Sequence, residues 1–597
     1  MQRPTDYIAP DHVHTLHGLF LRRLSRSPQA TAYRYFNKTR ETWEDISWQE
    51  MGERVGIWKA ALAKEHLAAG DRVALMLPNS PEWVCFDIAA LLLGLVVVPL
   101  FANDRPENIA YILEETGTKI LLCPGLSYWN DLEPVLNRLK NIQRIVTLDF
   151  CKMQDEDPRI QCSSEWLACK PLPLDTEFNK SDDLASIVFT SGTTGPPKGV
   201  MLSHRNILEN SYAGLQTITI YPDDLFLSFL PMSHMLERTV GYYLPIMAGA
   251  TVAFVRSIAQ LREDLQHLQP TALIAVPRVF EKIHAGIKNS LAQKSSLAQR
   301  LFMLAVNIGW HRFEYEQKRA PWSPLLLLYP LLDKLIAAKV RQQLGGNLRV
   351  IISGGAALSP EIARLFLGLG LPLCQGYGLT ETSPVVSVNR LENNVPSGVG
   401  PPLPGVEVKT GENNELLVRG SCVMDGYWKD SAATAQTMTA DGWLRTGDQV
   451  TIKNNHIQII GRLKEIIVLS NSEKVAPVDL EMAITLDPLF EQTMVIGEGR
   501  PFLTMVAVLE PKAWAELRDT LHLPDSEDAL HSDKLQQEVL ARVDRHLHSF
   551  PGFAWIKQAV LTLDPWTVEN ELLTPTLKIK REKIASLLQE EIEKMYA

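Results

Sequence analysis

The sequence predicts an α/β protein: a large N-terminal domain of layered, mostly parallel sheets with a small β-barrel-like subdomain, followed by a smaller α+β C-terminal domain. Three observations carry this. Short β-branched runs alternate with helical stretches up to Ser353, the rhythm of parallel α/β layers. After Ser397, Gly and Pro punctuate short strands, the texture of an antiparallel sheet or small barrel. With 597 residues, 46% of them apolar, the chain can bury a sizeable core and is not globally disordered.

The strands expected in the first part are Arg72–Leu77, Val96–Leu100, Lys119–Leu122, Arg144–Leu148, Ala185–Phe189, Thr251–Val255, Ala272–Val276 and Val350–Ser353. The uncharged run Ile88–Asn103 contains Pro99 and is short for a membrane span; it reads as a buried helix turning into a buried strand. Beyond Ser397 come VEVK, ELLVRG and HIQIIGR. Strands near Thr493–Ile496 and Leu503–Leu509 precede terminal helices, with Leu521–Ser532 a polar, Asp-rich excursion. The domain cut falls near residue 463, giving 1–463 and 464–597. There is no internal repeat.

The net charge of −10 argues against a nucleic-acid coat, which needs a basic surface to displace counterions. Seven Cys without a CxxC pair read as reduced thiols, not as disulfides or a zinc site. The N-terminus lacks a basic start followed by an apolar stretch, so no signal peptide is expected and the location is cytoplasmic. Residues 285–345 depart from the acidic average, with nine Lys+Arg against three acids around the apolar run PWSPLLLLYPLL. Two readings stand: a helical subdomain with a solvated basic face, or a surface resting on anionic lipid at the membrane's inner face.

The most informative stretch is Ser186-Ile-Val-Phe-Thr190-Ser191-Gly192-Thr193-Thr194-Gly195-Pro-Pro-Lys198-Gly. A buried strand ends in hydroxyls and glycines followed by a lysine. Backbone N–H groups, hydroxyls and an ammonium together suit phosphate oxygens. The segment fails the Walker A pattern: counted from Gly192, the final positions are Pro197-Lys198-Gly199, without the second Gly and the magnesium hydroxyl.

TSGTTGPPKGVMLSH (190–204) resembles the signature loop of the adenylate-forming superfamily, which includes acyl-CoA synthetases, luciferases and peptide-synthetase adenylation domains. The other motifs of that superfamily follow in order: GYGLTET (376–382), WLRTGD (443–448), GRLK (461–464) and TPTLK (574–578). The resemblance implies a two-step reaction, a carboxylate attacking the α-phosphorus of ATP and a thiol then displacing AMP. It implies that 190–198 grip the β/γ-phosphates and that Glu381 with Thr190 serve Mg2+. Gly354, Gly355 and Ala356 with Gln375, Gly376, Tyr377, Gly378 and Thr380 would hold adenine, Tyr377 as the stacking ring. Asp448 would accept from the ribose hydroxyls and Arg462 would reach ribose or phosphate. Lys578 would bridge the attacking carboxylate and the α-phosphate, with Lys580 as the competing assignment, and Lys464 would be the hinge about which a mobile C-terminal domain swings. Leu577 stands where the family usually has Gly, although TPTLK resembles the version found in long-chain synthetases; Glu571 stands where relatives often have Gly, which puts the local turn in question.

LPMSHMLER (230–238), PRVFEKI (277–283), VLSNSEKVAP (468–477) and the 285–345 insertion resemble long-chain fatty acyl-CoA synthetases. His234 would sit beside the acyl carboxylate, with Tyr242, Tyr243 and Met247 at the tunnel mouth. The expected partners are a long-chain fatty acid, ATP and CoA, with no nucleic acid; homodimer formation and membrane contact through 285–345 are further expectations. The competing functions are an acyl-AMP ligase loading a carrier protein, a light-emitting oxygenase, and a non-catalytic nucleotide sensor that would be expected to lose Lys578 or Glu381.

Overall fold

The computed structural model describes residues 3–149, 157–175, 180–190, 196–574 and 576–596. Two eight-stranded sheets build the large domain. One runs Val385–Val388, Leu373–Gly378, Val350–Ser353, Ala272–Ala275, Leu225–Ser228, Thr251–Phe254, Thr31–Asn37, Thr42–Ser47. Its inner strands are parallel and each outermost strand is antiparallel to its neighbour. The other runs Gly426–Tyr427, Lys198–Ser203, Leu184–Thr190, Val96–Pro99, Arg72–Leu75, Ile120–Cys123, Arg144–Thr147, Ile160–Cys162, parallel from Leu184–Thr190 onward. Every strand expected from the β-branched runs is present.

Strand periodicity explains why these runs are apolar throughout. Successive side chains point to opposite faces, and both faces are covered. Val97 joins the main core while Val96 and Val98 join a second cluster on the other side. The uncharged run is likewise a buried helix, Pro81–Leu92, leading into the buried strand Val96–Pro99. Ser80 starts that helix by accepting from the Trp83 N–H at 3.3 Å.

Val406–Thr410, Glu415–Gly420, Leu444–Lys453 and His456–Arg462 form the antiparallel sheet expected after Ser397, open at both edges. Past Arg462 lies a three-stranded sheet, Phe490–Ile496, Leu503–Leu509, Ile556–Thr562, with helices on both sides. Its central strand is wholly buried because it feeds two clusters: Leu503, Met505, Ala507 and Leu509 one, Val506 and Val508 the other. Neither cluster shares a member with the main core. The excursion 521–532 contains a short 3-10 turn, Glu527–His531. Residues 285–345 are helical apart from short linkers, chiefly Ser296–Glu316 and the shorter turns between Pro324 and Gln343.

Among the described residues no helix is long and apolar enough to cross a membrane. Cys85, Cys169, Cys374 and Cys422 are free thiols. Cys151 lies outside the described residues.

Candidate active site

A cavity of about 2470 Å³ opens at the carboxyl ends of parallel strands from both sheets, the usual ligand position in open α/β sheets. Its lining gathers Thr190, Lys198, Gly354, Gly355, Ala356, Gln375, Gly376, Tyr377, Gly378, Thr380, Glu381, Asp448, Arg462, Lys464 and Lys578. Residues up to 388 apart are thus brought to one place. Ser191, Gly192, Thr193, Thr194 and Gly195 lie outside the described residues. The flanking strands, Leu184–Thr190 and Lys198–Ser203, pair antiparallel with Thr190 opposite Lys198. The segment therefore joins strand to strand and does not open a helix, consistent with the failed Walker pattern.

The cavity wall at Gly355 and Gly378 is made of backbone. Gly355 has φ +85, a conformation L side chains rarely adopt. A Cβ on Gly378 would fall 1.8 Å from the Pro384 carbonyl oxygen, so only Gly fits there. The Gln375 side chain holds both neighbouring loops, donating to the Pro396 carbonyl at 2.6 Å and accepting from the Leu358 N–H at 3.2 Å. The Tyr377 hydroxyl donates to Asp448 Oδ2 at 2.5 Å, and Arg462 Nε meets Asp448 Oδ1 at 2.9 Å. Ring, carboxylate and guanidinium are thereby fixed to each other. Burial pushes the Asp448 carboxyl up, and Arg462 is the largest opposing influence.

Elsewhere in the lining, Glu381 accepts a hydrogen bond from the Tyr427 hydroxyl at 2.8 Å, and Lys198 Nζ sits 5.1 Å from the centre of the Tyr427 ring. Tyr427 thus positions both, and the sequence reading missed it. Its strand, Gly426–Tyr427, pairs with Lys198–Ser203, and the Met424 N–H donates to the Glu381 carbonyl at 2.9 Å. Nothing in Asp425-Gly-Tyr-Trp marks this role, because it arises from pairing across more than 200 residues.

Lys578 remains accessible within the cleft. Surrounding protein, then the charge of Arg462, lower its pKa, while Asp448, Glu465 and Glu381 act oppositely. Lys580 instead faces Arg105 and Asp104, which separates the two candidate lysines. The turn bearing Lys578 closes on itself: the Thr574 N–H donates to the Lys578 carbonyl at 2.9 Å, and the Lys578 N–H donates to Thr574 Oγ1 at 3.0 Å. Leu577 takes φ +61 and Glu571 φ +64. The left-handed positions are kept without glycine, at a cost of about 1–2 kcal/mol each. Glu571 is ion-paired to Arg105 of the large domain and to Lys583, a contact glycine could not make. At the domain junction, Glu465 and Ile466 donate backbone hydrogen bonds to the Arg462 carbonyl at 2.9 and 3.0 Å, so Lys464 sits on a tight turn.

His234 lines the same cavity. The Leu236 N–H donates to its Nδ1 at 3.2 Å, so the neutral ring carries its proton on Nε2, ready to donate. Burial, then the charge of Lys578, lowers its pKa to about 4. The ring does not compete with Lys578 as a cation at neutral pH.

The acyl wall differs from expectation. Tyr242, Tyr243 and Met247 do not line the cavity; they are buried behind it. Glu237–Tyr243 is a π-helical stretch. Leu236, Val240 and Leu244 face the cavity, while the tyrosines turn to the opposite side. Their hydroxyls donate to Asp87 Oδ2 at 3.2 and 2.5 Å, and Arg238 Nη2 donates to Asp87 Oδ1 at 2.5 Å. A buried hydroxyl needs a partner, and Asp87 supplies it. Gly214, Ile218, Ile220, Phe226, Ile274 and Val350 complete the apolar lining. Glu237 beside it is pushed by burial to about 8, so its own carboxyl stays largely uncharged at neutral pH.

A family model described as AMP-binding enzyme matches residues 20–428, and one described as AMP-binding enzyme C-terminal domain matches 464–597. Long-chain-fatty-acid–CoA ligase FadD15 of Mycobacterium bovis is 28% identical, the alignment covering 93% of this chain and 92% of that one. Fatty acyl-CoA synthetase A of Dictyostelium discoideum is 31% identical over 92% of this chain and 86% of its own. The adenylation domain of a carboxylate reductase from Mycobacterium chelonae superposes with a TM-score of 0.75 at 22% identity, covering 98% of this chain and 91% of that one, and shares the fold.

Proposed function

The chain belongs to the AMP-binding enzyme family, and we propose that within it the protein is a long-chain fatty acid–CoA ligase acting through an acyl-adenylate. One observation carries this reading. A single cavity joins the Tyr377–Asp448–Arg462 nucleotide wall and Lys578 to an apolar wall that begins at His234. In the first step a carboxylate oxygen bonds to the α-phosphorus of ATP and the bond to pyrophosphate breaks. In the second, a thiol sulfur bonds to the acyl carbon, its proton passes to solvent, and AMP leaves.

The first step brings two anions together, so preorganised positive charge is its main need. Lys578 stands between the nucleotide wall and His234 and is suited to neutralise both the attacking carboxylate and the α-phosphate. His234 Nε2–H is suited to hold the second carboxylate oxygen. The Asp448 oxygens are suited to accept from ribose hydroxyls, with Tyr377 setting the ring against adenine. We take 1–463 and 464–597 as the two working domains, with Lys464 as their hinge; the separate apolar clusters support that division.

Among the described residues no group of three or more His, Cys, Asp or Glu is placed to hold a metal. Mg2+, however, usually takes one or two protein carboxylates, with substrate phosphates and water completing its shell. Glu381, oriented by Tyr427, with the Thr190 hydroxyl fits that donor set; the ion would supply charge neutralisation at the phosphates. AMP and acyl-CoA formed from ATP, Mg2+, CoA and fatty acids of graded length test the whole reading. Equal amounts of AMP and thioester, with a maximum at long chains, are expected. Acyl-adenylate without a CoA thioester would transfer the proposal to a ligase that loads a carrier protein.

A further inference from the structure

The helical segment 296–343 leaves an outer face uncovered. Of the seventeen large apolar side chains exposed among the described residues, eleven lie between Leu297 and Leu335. Soluble surfaces scatter such residues singly; concentration in one place marks an interaction surface. On Ser296–Glu316 the helical repeat puts Leu297, Leu301 and Leu304 on the side of Ile308. Ile308 packs against Leu332, Tyr329 and Leu326 of the following turns. The exposed leucines of both segments, including Leu327 at 73% exposure, therefore form one continuous face. The inner face is fixed: a Cβ on Gly309 would fall 1.9 Å from the Gly368 carbonyl oxygen, and Arg341 donates to the Leu369 carbonyl at 2.8 Å.

Charge identifies the occupant. The three acids of the region are each neutralised within it, Glu314 by Arg319, Glu316 by Arg312 and Asp333 by Arg341. Lys294, Arg300, Lys318, Lys334 and Lys339 have no carboxylate partner among the described residues and are exposed around the apolar face. An apolar face with unneutralised cations fits the boundary of an anionic bilayer. A second copy of this chain would set the same cations against each other.

We propose that 296–343 is a membrane-docking element that seats the protein on anionic lipid, its exposed leucines in the headgroup–acyl boundary and its free lysines on the lipid phosphates. The proposal is independent of the reaction assigned to the cavity, whose residues it does not use. Co-sedimentation of the full chain with phosphatidylcholine vesicles, with and without phosphatidylglycerol, tests it. Binding to the anionic vesicles alone is expected, and added salt should reverse it. Lys294→Gln with Lys334→Gln and Lys339→Gln should weaken it by roughly a hundredfold, about fivefold per lysine. Leu327→Asp should also weaken it. Both variants should keep full activity on detergent-dispersed fatty acid, which separates failure here from failure of the proposed reaction. Binding indifferent to lipid charge and to the three lysines would overturn the proposal. So would an absence of vesicle binding together with a dimer in solution that Leu327→Asp dissolves.

Discussion

The two walls of the cavity are made by different rules. The wall proposed for the nucleotide is built of polar atoms at strand ends, each with a defined partner: Tyr377 on Asp448, Asp448 on Arg462, Tyr427 on Glu381. The wall proposed for the acyl chain is built of apolar side chains, Ile218, Phe226, Leu236, Val240 and Leu244, around the open position of Gly214. Recognition of phosphate, ribose and developing charge requires particular atoms at particular distances. An apolar container requires only volume. Substitutions in the first should therefore abolish a step, and substitutions in the second should retune a preference.

The largest effect should come from the lysine that serves both walls. Lys578→Ala should slow acyl-adenylate formation by about 10²–10³-fold or more, as for losing a preorganised charge donor. Thioester formation from supplied acyl-AMP should be spared. Equal loss of both half-reactions would show that the lysine is not confined to the first.

Next comes the nucleotide wall. Tyr427→Phe removes a charge-assisted hydrogen bond to Glu381 and should cost about tenfold to a hundredfold in adenylation. The magnesium concentration needed for half-maximal rate should rise, while fatty-acid chain preference stays unchanged. A shift in chain preference without a magnesium effect would place Tyr427 on the wrong wall.

The acyl wall should answer differently. A Cβ on Gly214 would meet Leu244 Cδ1 at 3.0 Å, so Gly214→Leu intrudes into the lining. Rates with long acids should fall by roughly tenfold or more, while short acids keep theirs. Uniform loss across chain lengths would mean the fold, not the container, had been damaged.

The smallest and broadest effect concerns pH. His17 and His234 are both depressed to about 4 by burial, and burial lowers His204 well below its ordinary range. Unfolded histidines titrate near 6.5, so between that value and about 4 the unfolded chain binds more protons. Their contribution to stability is complete above pH 6.5 and is lost as pH falls towards 4. Thermal unfolding temperatures measured from pH 7 to 4.5 should decrease steadily. His234→Gln should reduce that slope.

How far the sequence could be read follows the same division. Parallel layers were legible because strands covered on both faces must be apolar at every position, as at Val96–Pro99. The residues that gather in the cavity were legible because they lie in short contiguous motifs. Tyr427 was not, since its partner Glu381 lies 46 residues away and nothing local records the contact. Tyr242 and Tyr243 were assigned to the wrong side because a π-helical turn sets which side faces the cavity, and Asp87, the buried partner that holds them, comes from a distant helix. At Glu571 the sequence raised a doubt that the structure answers: Glu571 keeps the left-handed position and gains Arg105 in exchange for glycine's freedom, while Thr574 closes the turn at Leu577 by hydrogen bonds.

The small domain's separate apolar clusters have a consequence for heat. A unit with its own core can melt on its own, and calorimetry should then record two transitions in place of one. Lys578, proposed to join carboxylate and nucleotide, belongs to the smaller unit. Should that unit melt first, warming would produce a protein that still binds nucleotide and fatty acid side by side and can no longer join them.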